Sequence, residues 1–219
     1  MFNIDEIIRA VEEAKRIAKK RRFIQSVDII VKLRDVDPKK RPDDRLNITV
    51  PLPHPIPNKV PKICVIASGA AVVAAREAKA DTILTKEDLE KLAGNKKAIK
   101  KLAQEHDFFV ATPDMMVLVG KIMGPILGPR GKMPEVVPPN VDIKTVIERL
   151  RRSTRVRVKD QPQFMTRVGS EIMDSKDIAE NIVAVLEEVM RRKYPREKIA
   201  WTKVKLTMGP PVDFNPFIE

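Results

Sequence analysis

The chain has a single cysteine, Cys64, so no disulfide can form within it, and a reducing compartment is the expectation. Cys64 stands in the apolar run Lys62-Ile-Cys-Val-Ile-Ala67, which marks a small core residue rather than a nucleophile. Only two histidines occur, His54 and His106, in separate segments, and with one cysteine they make no zinc set. Aromatic residues are only 4% of the chain. No window approaches the roughly 18 uninterrupted apolar residues of a membrane span. The opening Met1-Phe-Asn-Ile-Asp-Glu6 has neither the basic segment nor the apolar run of a secretory leader. Nucleotide cradles are missing as well. The turn Ala67-Ser-Gly-Ala70 lacks the dinucleotide glycine pattern, and Gly131-Lys132 is followed by Met133 where a P-loop needs Ser or Thr. Ile126 stands where that loop needs its first glycine. Paired carboxylates such as Glu12-Glu13, Asp43-Asp44 and Glu187-Glu188 read as solvated charge on helix faces and polar bends. No nucleophile, base and orienting group can be nominated together. An enzyme, a metal site and a cofactor are not expected.

What is present is positive charge: 42 basic against 30 acidic residues, net +12. Such an excess favours polyanions, nucleic acid above all, although abundant charge of both signs also occurs in thermophilic proteins. At 219 residues the chain can bury one large or two small cores.

The two ends of the chain share a texture. Asn3, with Glu6, caps a first helix whose Ile4, Ile7, Ile8, Val11, Ala14 and Ile17 form one stripe, ending in Lys19-Lys-Arg-Arg22. Val27, Ile29, Val31 and Leu33, then Leu46, Ile48, Val50 and Leu52, alternate with polar residues as in half-buried antiparallel strands. The same alternation returns in Arg155-Val-Arg-Val-Lys159 and Lys203-Val-Lys-Leu-Thr-Met208. Between them a helix from about Ile178 to Arg192 turns Ile182, Val185, Leu186 and Val189 inward, with Asp174 or Ser175 as its cap. The middle differs. After the proline-rich joint Pro51–Pro61, the continuous apolar runs Ile63–Ala67, Thr82–Leu84 and Phe108–Ala111 alternate with helical patterns at Ala70–Ala78, Glu87–Ala93 and Lys96–Glu105. A further helix follows from Asp142 to about Arg152. These features predict a parallel sheet covered on both faces. The fold class expected is therefore α/β and α+β in two domains. A discontinuous α+β domain, 1–61 and 156–219, is interrupted by a Rossmann-like three-layer α/β insertion, 62–155, crossed at one hinge.

Two features carry a functional reading. The segment Lys121-Ile-Met-Gly-Pro-Ile-Leu-Gly-Pro-Arg-Gly-Lys-Met-Pro134 packs three glycines, three prolines and three basic residues together, and reads as an ordered basic loop. Arg130 and Lys132 are its candidates for secondary RNA contact. In the end domain, Lys32 and Arg34, then Lys39, Lys40 and Arg41, Arg155, Arg157 and Lys159, and Lys203 and Lys205 recur on polar strand faces or bends. If these strands share one sheet, its wet face is lined with cations spaced for phosphates. Gly169 and Gly209 would allow close backbone approach, with hydroxyls from Thr166, Ser170 and Thr207. Phe23 could pack on a ribose or base, or into the core beside the first helix.

Four ordered segments resemble one family. Thr207-Met-Gly-Pro210 is similar to the closing motif of the ribosomal protein L-one family, and Gly124–Pro134 to its internal signature loop. Val36-Asp-Pro-Lys-Lys40 and Val50-Pro-Leu-Pro-His54 resemble two further segments of the family in the right order. The start of the chain and Pro211 look like the archaeal or eukaryotic branch, and the Lys, Arg and Glu content like the archaeal one. Lys159-Asp-Gln-Pro-Gln-Phe164 departs from the glycine-containing sequence of bacterial relatives. The resemblance implies a noncatalytic, cytoplasmic protein of the large ribosomal subunit, monomeric when not bound. It implies binding to the rRNA of the mobile stalk beside the tRNA exit site, contact with exit-site tRNA, and repression of its own mRNA. It also implies that RNA is met on the discontinuous domain by Phe23, Lys32, Thr207, Met208 and Gly209, the last three on the closing strand, with Arg167, Gly169 and Ser170 forming a second contact turn. An RNA-binding protein without ribosomal selectivity and an α/β enzyme are the alternative readings.

Overall fold

The computed structural model describes residues 1–218. In chain order the elements are α1 (Ile4–Ile17), β1 (Ser26–Leu33), β2 (Leu46–Pro51), β3 (Ile63–Ile66), α2 (Ala70–Glu77), β4 (Thr82–Leu84), α3 (Lys86–Leu92), α4 (Lys96–Glu105) and β5 (Phe108–Ala111). They continue with α5 (Pro113–Ile122), α6 (Gly124–Arg130), β6 (Glu135–Val136), α7 (Ile143–Arg151), β7 (Ser153–Val158), β8 (Gln163–Ser170), α8 (Ser175–Arg192), β9 (Ile199–Leu206) and β10 (Val212–Phe214). The chain divides into two compact units, Met1–Val60 with the segment from Arg152 onward, and Pro61–Arg151. The second crossing falls ahead of β7 rather than at 156, because Ser153 already pairs with Pro51.

In the first unit the antiparallel sheet runs β10-β9-β1-β8. Every second residue of β1 is buried, and Val27, Ile29 and Val31 share one core with Ile7, Val11 and Ala14 of α1 and Ile182, Val185, Leu186 and Val189 of α8. Both helices therefore cover the same sheet face, each buried aliphatic side chain contributing roughly 1.5–3 kcal/mol. Asn3 caps α1 by accepting from the Glu6 N–H at 3.2 Å, and Asp174 caps α8 by accepting from the Lys176 N–H. Ile4 and Ile17, expected in the apolar stripe, are exposed, since they stand at the two ends of α1 where the face it buries runs out.

Three expectations need correction. Strands β2 and β7 form a separate two-stranded ribbon, so Arg155 and Arg157 do not share a sheet with Lys32, Lys203 and Lys205. The place beside β1 is taken by β8, which the alternation Phe164, Thr166, Val168 supports. Arg167-Val-Gly-Ser170 is accordingly the end of that strand and not a turn. Third, the glycine-proline segment contains α6. Pro125 sits at its start, where the missing N–H would have had no partner, Pro129 falls within the last turn, and Gly131 at φ 68° ends it.

The second unit is a parallel sheet in the order β4-β3-β5-β6. All residues of β3 and β5 are buried, between one core that includes α3, α4, α5 and α6 and another that includes α2 and α7. Cys64 lies in the first of these, and burial pushes its thiol up to about 12. Helix α5 and the short β6 were not anticipated. No helix of the described residues is long and apolar enough to cross a membrane, and no cluster of their His, Cys, Asp or Glu side chains could hold a metal ion.

Candidate nucleic-acid interface

The face of the first unit's sheet opposite α1 and α8 carries the polar phase of each strand. Register fixes its rows. Asp28 of β1 lies between Arg167 of β8 and Lys205 of β9, Ile30 between Met165 and Lys203, and Lys32 between Gln163 and Trp201. Arg167 and Lys205 thus flank the Asp28 carboxylate, with Lys32 and Lys203 farther along the face and Met165 and Trp201 exposed among them. Burial raises the Asp28 carboxyl above its ordinary range, against the opposing pull of Arg167, Lys205 and Lys59. Lys203 is tied at 3.0 Å to Asp213 on the edge strand and stands 5.0 Å from the centre of the Trp201 ring.

At the end of the sheet where β1 begins, apolar side chains reach solvent. Phe23, Ile24, Ile172 and Met208 are 51%, 45%, 59% and 57% exposed, the first two directly after the exposed cations Lys19-Lys-Arg-Arg22. Phe23 is therefore not a core residue. Its neighbour Gln25 is: 1% exposed, it accepts from the Met208 N–H at 3.1 Å and donates to Lys19 O at 3.2 Å and Glu171 Oε2 at 3.3 Å. One buried amide thus ties three chain segments into a single rim. Thr207 continues the ladder with its side chain, accepting from the Ser26 N–H at 3.1 Å while its own N–H donates to Ser26 O at 3.0 Å. Thr207, Met208 and Gly209 lie in the turn after β9 rather than on the strand, because β9 ends at Leu206. A side chain at Gly209 would meet Ala18 Cβ at 3.1 Å, so glycine lets this turn lie against the end of α1.

The remaining candidates divide sharply. Lys39, Lys40 and Lys159 are exposed beyond the other end of β1, the last two beside Asp37 at 3.9 Å and Asp160 at 3.5 Å. Gly169 and Ser170 are buried, and so is Thr166, whose hydroxyl donates to Arg155 O. The absent side chain at Gly169 makes room for Ile178 of α8, whose Cγ1 would stand 2.7 Å from a Cβ there. That glycine makes room for helix packing. Lys132 points inward as well, donating to Ala103 O at 2.9 Å and His106 O at 2.6 Å, carbonyls at the C-terminal end of α4. Arg130, the other candidate of that segment, is half-buried. Sequence reading missed Gln25, Met165 and Trp201. The last two were visible as apolar residues in the polar phase of their strands.

The second unit offers a different site. A cleft of about 740 Å³ opens beyond the carboxyl ends of β3 and β5. Ala71, Pro138 and Val141 line it together with Ser68, Asp114 and Asp142. The Ser68 hydroxyl, donating to Oδ2, holds the Asp114 carboxyl below its usual range. No lysine or arginine lines this cleft, so it has no cation for a phosphate.

Comparison with known proteins settles which kind of protein carries these surfaces. The sequence model described as "Ribosomal protein L1p/L10e family" matches residues 11–210. The chain belongs to this ribosomal protein family. Its relatives include the large ribosomal subunit protein uL1 of Pyrobaculum arsenaticum, 50% identical over 212 residues that span 97% of this chain and 94% of the relative. The protein of the same name from Thermofilum pendens is 54% identical over 194 residues, 89% of this chain and 85% of the relative. That of Methanothermococcus thermolithotrophicus is 46% identical over 215 residues, 96% and 98% of the two chains. Membership of this family, with relatives among archaea, makes the chain a structural ribosomal protein and not an enzyme.

Proposed function

We propose that the protein binds the rRNA of the mobile stalk of the large subunit, beside the tRNA exit site, through the rim and open sheet face of its first unit. The same surface represses translation of its own mRNA by holding a similar RNA fold, and the ribosome-bound protein meets departing tRNA. Unbound, the protein is a monomer. The observation that carries this reading is the rim, where Phe23 and Met208 are held in the open by Gln25, beside four consecutive cations. Cations meet the phosphates of a duplex, while exposed apolar side chains and close backbone suit its irregular, unstacked parts. The relatives' name, large ribosomal subunit protein, supports the choice of rRNA over RNA in general.

Competition binding tests it. A stalk-region rRNA fragment should displace random duplex RNA at moderate salt, and Met208→Ala should weaken the stalk fragment by roughly tenfold. The fold of that variant, followed by circular dichroism, should be unchanged, since Met208 is exposed. Equal affinity for both RNAs would remove the ribosomal selectivity, and unchanged affinity in the variant would remove the rim.

A further inference from the structure

Beyond the end of β10 the sheet of the first unit leaves a groove that the rim does not explain. Strand β10 pairs with β9 only from Val212 opposite Val204 to Phe214 opposite Thr202. From Ile199 to Trp201, β9 therefore has no ladder partner on that side among the described residues. The groove there has a volume of about 850 Å³, within the usual range for a bound nucleotide-sized molecule. Trp201, the only tryptophan of the chain, lines it and is 40% exposed. Arg34, Arg196 and Phe217 form other parts of its wall, the Arg196 guanidinium lying 4.8 Å from the centre of the Phe217 ring.

The chemistry around the indole selects an occupant. Lys32 is the register partner of Trp201 across β1, and the Lys203 ammonium stands 5.0 Å from its ring centre. The groove's own wall balances Arg34 and Arg196 against Glu197 and Asp213, and Lys203 already pairs with Asp213, so Lys32, beside the indole rather than in the wall, supplies the excess positive charge. An exposed indole with Arg34 and Lys32 beside it offers a stacking plane for a base and partners for its phosphate, the combination by which unpaired nucleic acid is held. A stacked duplex cannot supply a base to such a plane, because its faces are already covered by neighbouring bases. The place also fits. The row of Gln163, Lys32 and Trp201 is the last of the open face, at the opposite end from Phe23 and Met208. At about 3.3 Å per residue, Ser26 and Lys32 are separated by roughly 20 Å, so an RNA lying along the face from the rim arrives at this groove.

We propose that the groove takes an unpaired nucleotide of the bound RNA, its base on Trp201 and its phosphate on Lys32 and Arg34. This rests on the RNA reading of the first unit, and adds a second point of recognition that discriminates single-stranded from duplex segments.

Trp201 reports on its own site, because no other indole contributes to the fluorescence. Hexaadenylate RNA should quench it in a saturable way, and a blunt duplex of equal nucleotide count should not. Trp201→Ala should lower the affinity for fluorescently labelled hexaadenylate by roughly tenfold, Trp201→Phe by less, with the thermal transitions of both variants close to that of the parent. The stalk rRNA fragment is measured in parallel. If it binds but hexaadenylate neither quenches nor distinguishes Trp201→Ala from the parent, the groove is not a nucleotide site, while the rim reading stands. Equal quenching by the blunt duplex overturns the proposal as well. If the stalk fragment fails to bind the parent protein, the RNA reading falls and the groove with it.

Discussion

The two units treat their sheets in opposite ways. The antiparallel sheet of the first has both helices on one side, so alternate residues such as Asp28, Lys32, Lys203 and Lys205 are left for another purpose. The parallel sheet of the second is covered on both sides, and Ile63–Ile66 and Phe108–Ala111 have no residue to spare. Chemistry in the second unit is confined to the loops beyond the strand ends, and the cleft there is lined by carboxylates without cations. An extended polyanion needs a face, whereas a doubly covered sheet offers only an end. The net charge of +12 alone does not say where RNA binds, since lysines abound in both units. The proposed interface rests instead on the sheet architecture.

Charge reversal breaks or sharpens this contrast most strongly. Lys32→Glu with Lys205→Glu should lower the affinity for stalk rRNA on the order of a hundredfold near physiological salt, and flatten the salt dependence of binding. Lys96→Glu with Lys97→Glu, at the start of α4 in the second unit, makes the same change in net charge and should cost less than about threefold. Filter binding over a salt series checks both. Similar losses would mean that RNA responds to total charge and not to the open face.

A smaller effect tests whether the glycines of the first unit serve RNA or packing. Gly169→Ala drives a Cβ to 2.7 Å from Ile178 Cγ1, a buried side chain that cannot swing away. The unfolding free energy should fall by about 1–3 kcal/mol, read from urea denaturation. The affinity of the folded fraction for stalk rRNA should stay within about twofold. Lost affinity with unchanged stability would restore Gly169 to the interface.

Legibility followed the same division. The alternation of Val27, Ile29, Val31 and Leu33 and the continuous runs of Ile63–Ile66 and Phe108–Ala111 announced both kinds of sheet, because a buried face imposes its period on the sequence. Neighbourhood between strands was not announced. The role of β8 beside β1 depends on Gly169 admitting Ile178, a contact made across the fold and invisible in local pattern. Helix α6 was hidden because Pro125 and Pro129 read as helix breakers, although at the start and in the last turn of a short helix they cost little or a single ladder bond. Of the candidate site, exposed Phe23 and Met208 were readable through the family motif, whereas Gln25 looked like any polar residue between a loop and a strand. Its amide matters only because the turn after β9 returns to meet it.

The subtlest test of the open face lies in the carboxylate at its centre. Asp28 faces Arg167 on β8 and Lys205 on β9, and Lys59 acts on it from the connection after β2. Burial, the largest influence, raises its pKa above 3.8, so the folded chain holds this proton more tightly than the unfolded chain does. The stability linked to Asp28 is therefore greatest in acid. It falls as pH rises from the unfolded value through the raised folded one, and stays lost at neutral pH. Asp28→Asn removes that loss, so at pH 7 the variant should melt at most a few degrees above the parent, the difference fading in acid. The same substitution takes a negative charge from between two cations, and affinity for stalk rRNA should rise about two- to fivefold at pH 7. Below the raised pKa the parent sheds the same charge by protonation, so the two affinities should converge there. A variant that binds RNA more weakly at neutral pH would instead make Asp28 the residue that aims Arg167 and Lys205 at the phosphates.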